Sequence, residues 1–152
     1  MSRGISSFLE AVDHGKPRAR STGRRKLQEV EVAIDDAKRR AGSGEWEGAR
    51  GATLVGLYGF CHELIYGVVP DELRELPTFR MASKLAAGFT HEHFEDDFGA
   101  AASFIKWAWE REKGKHNWAL SNGISRNRLS WRLQFSASLL TDWKVQRHKR
   151  GR

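Results

Sequence analysis

Apolar residues in this chain recur at every third or fourth position over long stretches, which is the repeat of an amphipathic helix. Helices are predicted over about 26–41, 46–66, 78–87, 90–113 and 138–147. The stretch 129–135 alternates apolar and polar residues as a strand does, although it also fits a helix. No second stretch alternates clearly enough to pair with it in a sheet. We therefore expect a mainly α fold, a compact bundle of about five helices with basic, partly extended ends.

The 152 residues divide into three parts by composition, and their number suits one domain. Residues 1–25 are predicted as a basic N-terminal arm, with a weak helix near 5–12 and a linker over 15–25. Residues 26–114 are the predicted helical core. Residues 115–152 form a basic, Trp-rich segment that we expect to pack on that core.

Formal charge is sorted in the same way. The arm carries six Lys and Arg against two carboxylates, the core eleven against sixteen, and the C-terminal segment nine against one. The three parts therefore have net charges of +4, −5 and +8, within the formal +7 of the chain. Positive charge gathered at chain ends is typical of a protein that binds a polyanion, most often nucleic acid, and a solubilising tail is the alternative.

The compartment is predicted from what the sequence lacks. A lone cysteine, Cys61, allows no internal disulfide, and no run approaches the roughly 18 apolar residues of a membrane span. The first residues have no apolar run of the kind found in a signal peptide. We expect a soluble protein without a membrane partner in the cytoplasm, or in the host cytoplasm if a phage encodes it.

The helix predicted over 46–66 is the most apolar segment. One wide face gathers Leu54, Leu57, Tyr58, Cys61, Leu64 and Ile65. Gly51, Gly56 and Gly59 each lower helix propensity by about 1 kcal/mol relative to alanine. Glycine at that cost predicts a neighbouring element whose backbone approaches the helix closely.

Two further helices are predicted in the second half of the core. Met81 and Leu85 point inward from the first, which Gly88 ends. Thr90 caps the second, and Gly114 breaks it. Its first turns carry carboxylates that complement the helix dipole, namely Glu92, Glu95, Asp96 and Asp97.

Two clusters contain residue types found in catalytic or metal sites, but neither has the required geometry. His91 and His93 are two residues apart, so on a helix they point in different directions and do not chelate one metal. Cys61 precedes His62, yet it lies at the centre of the apolar face, where a cysteine acts as a small hydrophobe. We expect no enzyme, no cofactor and no metal. The alternative is a metal-dependent nuclease built on His93, Glu95, Asp96 and Asp97.

Cations interleave with aromatic residues in the C-terminal third. In nucleic-acid grooves Lys and Arg neutralise phosphates, while flat rings stack on unpaired bases. Trp107 lies about 140° from the centre of the apolar face of its helix, so it is either exposed or covered by the C-terminal segment. The predicted nucleic-acid-binding residues are Arg18, Arg20, Arg24, Arg25, Trp107, Lys115, Trp118, Arg126, Arg128, Arg132, Lys144, Arg147, Lys149 and Arg150.

The leading hypothesis is a non-enzymatic accessory protein that binds DNA or RNA. The alternative is a protein-interaction or assembly subunit of a larger nucleoprotein or viral complex. This alternative rests on Leu27, Val30 and Ile34, a narrow apolar stripe that one helix alone leaves incompletely buried. Such a stripe predicts contact with a protein partner or with a second copy of the chain.

Spaced aromatic residues mark the second half of the chain. They are Phe94, Phe98, Phe104 followed by Ile105, Trp107, Trp118, and the run 135–143 that ends in Trp143. Over residues 78–146 this spacing resembles the C-terminal module of phage and bacterial primosome proteins of the DnaD type, from which the 129–135 stretch departs. The resemblance implies DNA binding and helicase loading at replication origins, in a protein of a phage or other mobile element that acts in DNA replication or processing.

Overall fold

Six α-helices and one 3₁₀ helix make up the part of the chain that the structure describes, residues 21–150, with side chains over 29–149. The structure is a computed structural model. In chain order the elements are α1 (Ser21–Ser43), α2 (Gly51–Tyr66), the 3₁₀ helix (Asp71–Arg74), α3 (Leu76–Phe94), α4 (Phe98–Ser121), α5 (Trp131–Gln134) and α6 (Ala137–Arg150). No strand occurs among these residues, and the predicted mainly α fold is confirmed. The helix predicted near 5–12 lies outside the described residues, and the linker predicted over 15–25 overlaps the first turn of α1.

The glycines of α2 mark close contacts with the helices on either side. A Cβ at Gly56 would lie 2.1 Å from the carbonyl oxygen of Ala33 on α1, and a Cβ at Gly51 would lie 2.1 Å from that of Ser83 on α3. At Gly59 the nearest atom is a side-chain carbon of Ile34 at 3.2 Å. Backbone can approach this closely only where no side chain intervenes. The predicted close approach is therefore confirmed.

α2 is the central helix, and ten of its sixteen residues are buried. Leu54, Leu57 and Tyr58 lie in the core as predicted. Leu64 does not: its side chain is 64% exposed, although Ile65 and Tyr66 beside it pack against the core. No described helix combines the length and apolar content that a membrane span requires.

The apolar stripe of α1 is buried within the chain itself. Val30 and Ile34 are 1% and 4% exposed, because the glycine-lined face of α2 packs directly against them. A second protein could reach them only if α1 and α2 separated. The expected contact of this stripe with a partner or a second copy stays a prediction, and the side chain of Leu27 lies outside the described part.

α3 is longer than predicted, and its buried face is different. It continues through Gly88 and ends at Phe94. Met81 is 54% exposed and Leu85 is also exposed, so the prediction that they point inward is wrong. The buried positions are Phe79, Ala82, Ala86 and Phe89, where small residues admit the neighbouring α2.

The junction between α3 and α4 lies seven residues later than the predicted cap at Thr90. Thr90 is buried inside α3, where its hydroxyl donates to the carbonyl oxygen of Ala86 at 2.8 Å. The cap is Asp97, whose carboxylate accepts from the N–H of Ala100 at 3.0 Å. Glu95 and Asp96 turn the chain with φ of 52° and 64°. α4 then runs to Ser121 without a break at 114.

The C-terminal segment contains no strand within the described residues. Residues 122–130, here called the returning segment, run back along α4 in an irregular conformation and lead into the short α5. The hydroxyl of Ser136 then accepts from the N–H of Leu139 at 3.4 Å and caps the first turn of α6. Buried apolar residues join the C-terminal segment to the core, namely Leu129, Trp131, Phe135, Leu140 and Trp143.

Candidate nucleic-acid interface

Two tyrosines of α2 hold the returning segment in place. The hydroxyl of Tyr58 donates to the carbonyl oxygen of Leu129 at 2.6 Å, and the N–H of Leu129 donates to the hydroxyl of Tyr66 at 3.1 Å. Leu129 is buried, so leaving either backbone group without a partner would cost free energy. The two bonds therefore fix where residues 126–128 lie relative to α4.

A buried carboxylate extends this network to a predicted site residue. Glu112 of α4 accepts a hydrogen bond from Tyr66 and is held by Arg126, whose two terminal nitrogens lie 2.6 and 3.3 Å from its oxygens. The hydrogen bond to Glu112 raises the pKa of Arg126 further above its ordinary value. Since its charge is already paired, Arg126 acts mainly as a scaffold residue rather than as a free phosphate contact.

A groove, here called the α4 groove, lies between α4, the returning segment and the start of α6. Its cavity measures about 250 Å³. Its charged side chains are four cations and two carboxylates, net +2: Arg111, Lys115, Arg126, Arg128, Glu112 and Asp142. Both carboxylates are paired, Glu112 with Arg126 and Asp142 with Arg111 at 3.1 Å. Among the described residues no ion pair engages Lys115 or Arg128, so these two cations carry the net charge.

One face of α4 beside this groove carries two cations flanked by two tryptophan rings. Trp107, Arg111, Lys115 and Trp118 fall within about 80° of each other at 100° per residue, and they are here called the stacking stripe. The Arg111 guanidinium lies 5.3 Å from the centre of the Trp107 ring. Sequence analysis missed Arg111, although its position four residues after Trp107 and four before Lys115 is the signal that finds it.

The six tryptophans differ in exposure, which settles the placement of Trp107. Trp109, Trp131 and Trp143 are buried, and Trp46 is half-buried. Trp107 is also half-buried, with Phe104 stacked at 6.3 Å between ring centres and Arg111 over the indole. Trp118 is 59% exposed and is the one tryptophan among the described residues that is more exposed than half-buried.

Three further predicted arginines lie over aromatic rings. Arg128 is 5.2 Å from the centre of Tyr66, Arg132 is 4.2 Å from Trp131, and Arg147 is 4.8 Å from Trp143. Each pair is a cation–π contact that limits the motion of an exposed guanidinium. The charge is thereby held at a defined place on the surface.

The structure brings only some of the predicted residues together. Lys115, Arg126 and Arg128 line the α4 groove. Lys144 and Lys149 border a separate open depression on the outer face of α6. The remaining predicted cations lie where side chains are not described, namely Arg18, Arg20, Arg24, Arg25 and Arg150.

The histidine and cysteine clusters have other surroundings. Burial raises the pKa of Cys61 to about 12, which suppresses the nucleophilic thiolate at neutral pH. His62 is buried beside it, and its Nδ1 lies 2.5 Å from the carbonyl oxygen of Val68. The imidazole of His91 contacts Asp96 at 3.0 Å. No three His, Cys, Asp or Glu side chains come together at metal-binding distance among the residues described.

Comparison of the chain with protein-family models, curated proteins and solved structures found no match.

Proposed function

We propose that this chain is a non-enzymatic accessory protein that binds nucleic acid through the α4 groove and its margins. The observation that carries the proposal is the charge of the groove. Its two carboxylates are each paired with an arginine, while Lys115 and Arg128 keep their charge available beside them.

Such an arrangement suits a phosphate backbone. Cations that neutralise phosphates release condensed counterions, and this release drives binding independently of sequence. The net charge of the groove comes from residues 115–152, which carry nine Lys and Arg against one Asp. Arg111 and Glu112 belong to residues 26–114, which are net negative, and their charges cancel. A polyanion is therefore attracted to one part of the molecule and repelled by the other.

The biological setting of the proposal comes from the aromatic spacing of residues 78–146. Its resemblance to the C-terminal module of DnaD-type primosome proteins favours DNA as the polymer and replication or processing as the process. A phage or other mobile element is the source that this resemblance supports.

A salt titration with a matched pair of double variants tests the proposal. Binding is measured by filter retention of a labelled oligonucleotide at several salt concentrations. Lys115→Gln with Arg128→Gln should weaken binding and reduce the slope of log K against log salt by roughly 1.4–1.8, since each lost phosphate contact removes about 0.7–0.9. The control, Lys84→Gln with Lys106→Gln, removes the same charge from exposed positions outside the groove.

The control should leave the slope nearly unchanged. Equal effects of the two double variants would show that net charge alone drives binding, and the groove would then not be the site. Absence of binding at low salt would overturn the proposal as a whole. Self-assembly in sedimentation without nucleic acid would instead support an assembly subunit.

A further inference from the structure

We infer that the α4 groove takes single-stranded rather than double-stranded nucleic acid, with Trp118 as the platform on which an unpaired base stacks. This inference rests on the proposed function and adds the class of polymer to it.

Trp118 is placed to meet a ligand that the groove attracts. It lies three residues after Lys115 on the same side of α4, and 59% of it is exposed. An indole offers roughly 150–250 Å² of largely apolar surface, and the other five tryptophans use theirs in packing or are half-buried. An exposed flat ring beside an unpaired lysine is the combination on which single-stranded nucleic acid binds.

A second stacking surface lies at the other end of the stripe. There the Arg111 guanidinium covers the Trp107 ring at 5.3 Å from its centre, and Asp142 holds Arg111 by an ion pair. Guanidinium planes stack on bases as aromatic rings do. The sequence pattern predicted that Trp107 itself binds nucleic acid. In this arrangement Trp107 instead supports an arginine, and the arginine stacks on the base.

The spacing of these two surfaces matches a short strand. Trp107 and Trp118 are eleven positions apart, which is about 16–17 Å along a helix that rises 1.5 Å per residue. At about 3.4 Å per stacked nucleotide this distance spans roughly five nucleotides. Lys115, which no ion pair engages among the described residues, lies between the ends, where the phosphates of such a strand pass.

A duplex cannot use this arrangement in the same way. Paired bases in a duplex present only their edges in the grooves, and their faces are stacked on one another. Trp118 would then meet a backbone with which it forms no stacking contact. The tryptophan therefore contributes to single-strand affinity alone, whereas Lys115 contributes to both.

Fluorescence anisotropy with a labelled ten-nucleotide oligothymidine and a duplex of equal length separates these contributions. Trp118→Ala should weaken single-strand binding by about 5- to 150-fold, the loss of one stacked base worth roughly 1–3 kcal/mol. The salt slope and the duplex affinity should stay unchanged. Trp118→Phe, which keeps a ring, should restore most of the affinity.

Leu120→Ala is the matched control. Leu120 is 67% exposed on the same helix end, but it points about 160° away from Trp118. It should change neither affinity. As a second measurement, oligothymidine should quench the tryptophan fluorescence of the wild type more than that of Trp118→Phe.

The outcomes distinguish the inference from the function on which it rests. Equal affinity for both polymers, with Trp118→Ala affecting neither or both alike, overturns single-strand recognition but leaves nucleic-acid binding standing. No binding to either polymer overturns the proposed function itself. Loss of a dimer in sedimentation of Trp118→Ala, with oligothymidine binding intact, assigns the ring to self-association and overturns the inference.

Discussion

Gly56→Ala tests the contact between α1 and α2 on which the fold depends. The added methyl would lie 2.1 Å from the carbonyl oxygen of Ala33, and Cβ atoms essentially never approach a neighbour within 3.0 Å. The helices must therefore separate by about 0.9 Å at this point. A gap of 0.5–1 Å removes roughly a quarter to a half of each van der Waals attraction across the contact.

The expected loss of stability follows from these distances. Overpacking of this kind costs about 3 kcal/mol or more, against a gain of about 1 kcal/mol from replacing glycine inside a helix. The net loss is at least about 2 kcal/mol. A chain of this size shifts its Tm by roughly 2–4 °C per kcal/mol, so Gly56→Ala should melt about 4–8 °C lower than the wild type.

Gly114→Ala is the matched control, because it makes the same substitution at a helical glycine with free space around it. Gly114 also lies inside a helix, but a Cβ there meets nothing within 4 Å. Alanine should therefore stabilise the protein by about 0.5–1 kcal/mol. Thermal melts by circular dichroism, with urea unfolding to check the slope, compare the two variants. A Gly56→Ala protein as stable as Gly114→Ala would refute the packing described for α1 and α2.

The remaining predictions concern the buried network, the cysteine and pH. Arg126→Ala should lower the free energy of unfolding in urea by about 1–3 kcal/mol, because it leaves the Glu112 carboxylate without its cation. Lys115→Ala should change it by no more than about 0.5 kcal/mol. Equal losses of stability in the two variants would contradict the structural role of the ion pair. Cys61 should react with a thiol reagent at pH 8 far more slowly in the native protein than in urea, because burial raises its pKa to about 12, and equal rates would place the thiol at the surface. Burial lowers the pKa of His62 below its ordinary 6.5, so near that pH the imidazole binds a proton more readily in the unfolded chain than in the folded chain. The free energy of unfolding should therefore fall as pH drops through about 6.5, and a His62→Gln protein with the same decline would show that another group is responsible.

Local patterns in the sequence were sufficient for several features. The helical repeat predicts the α class, and the glycines of α2 predict the close backbone contacts that Ala33 and Ser83 make. Ser136 is recognisable as a cap, since a serine side chain satisfies N–H groups two or three residues ahead. The helical repeat and the Ser136 cap depend on residues that are close in the sequence. The close contacts of α2 depend on one residue type, glycine, whatever the neighbouring element is.

The end of α3 shows where local patterns mislead. Gly88 and Thr90 look like a stop and a start, but the helix continues through both because Phe89 and Ala86 are buried. Burial of apolar side chains outweighs the cost of one glycine in a helix, about 1 kcal/mol. The actual turn uses Glu95 and Asp96 at positive φ, where no glycine signals it.

The sequence by itself determined the helical class, the segregation of charge and the presence of cations and aromatic residues in the C-terminal third. Tertiary structure alone decided which of those cations are unpaired and therefore available to a ligand. Arg126 is paired because Glu112 of α4 lies beside it, and the returning segment that carries Arg126 is held by Tyr58 and Tyr66, 71 and 63 residues away from Leu129. Periodicity describes neighbours within one or two helical turns, whereas the partner of a charge is chosen by the packing of distant elements.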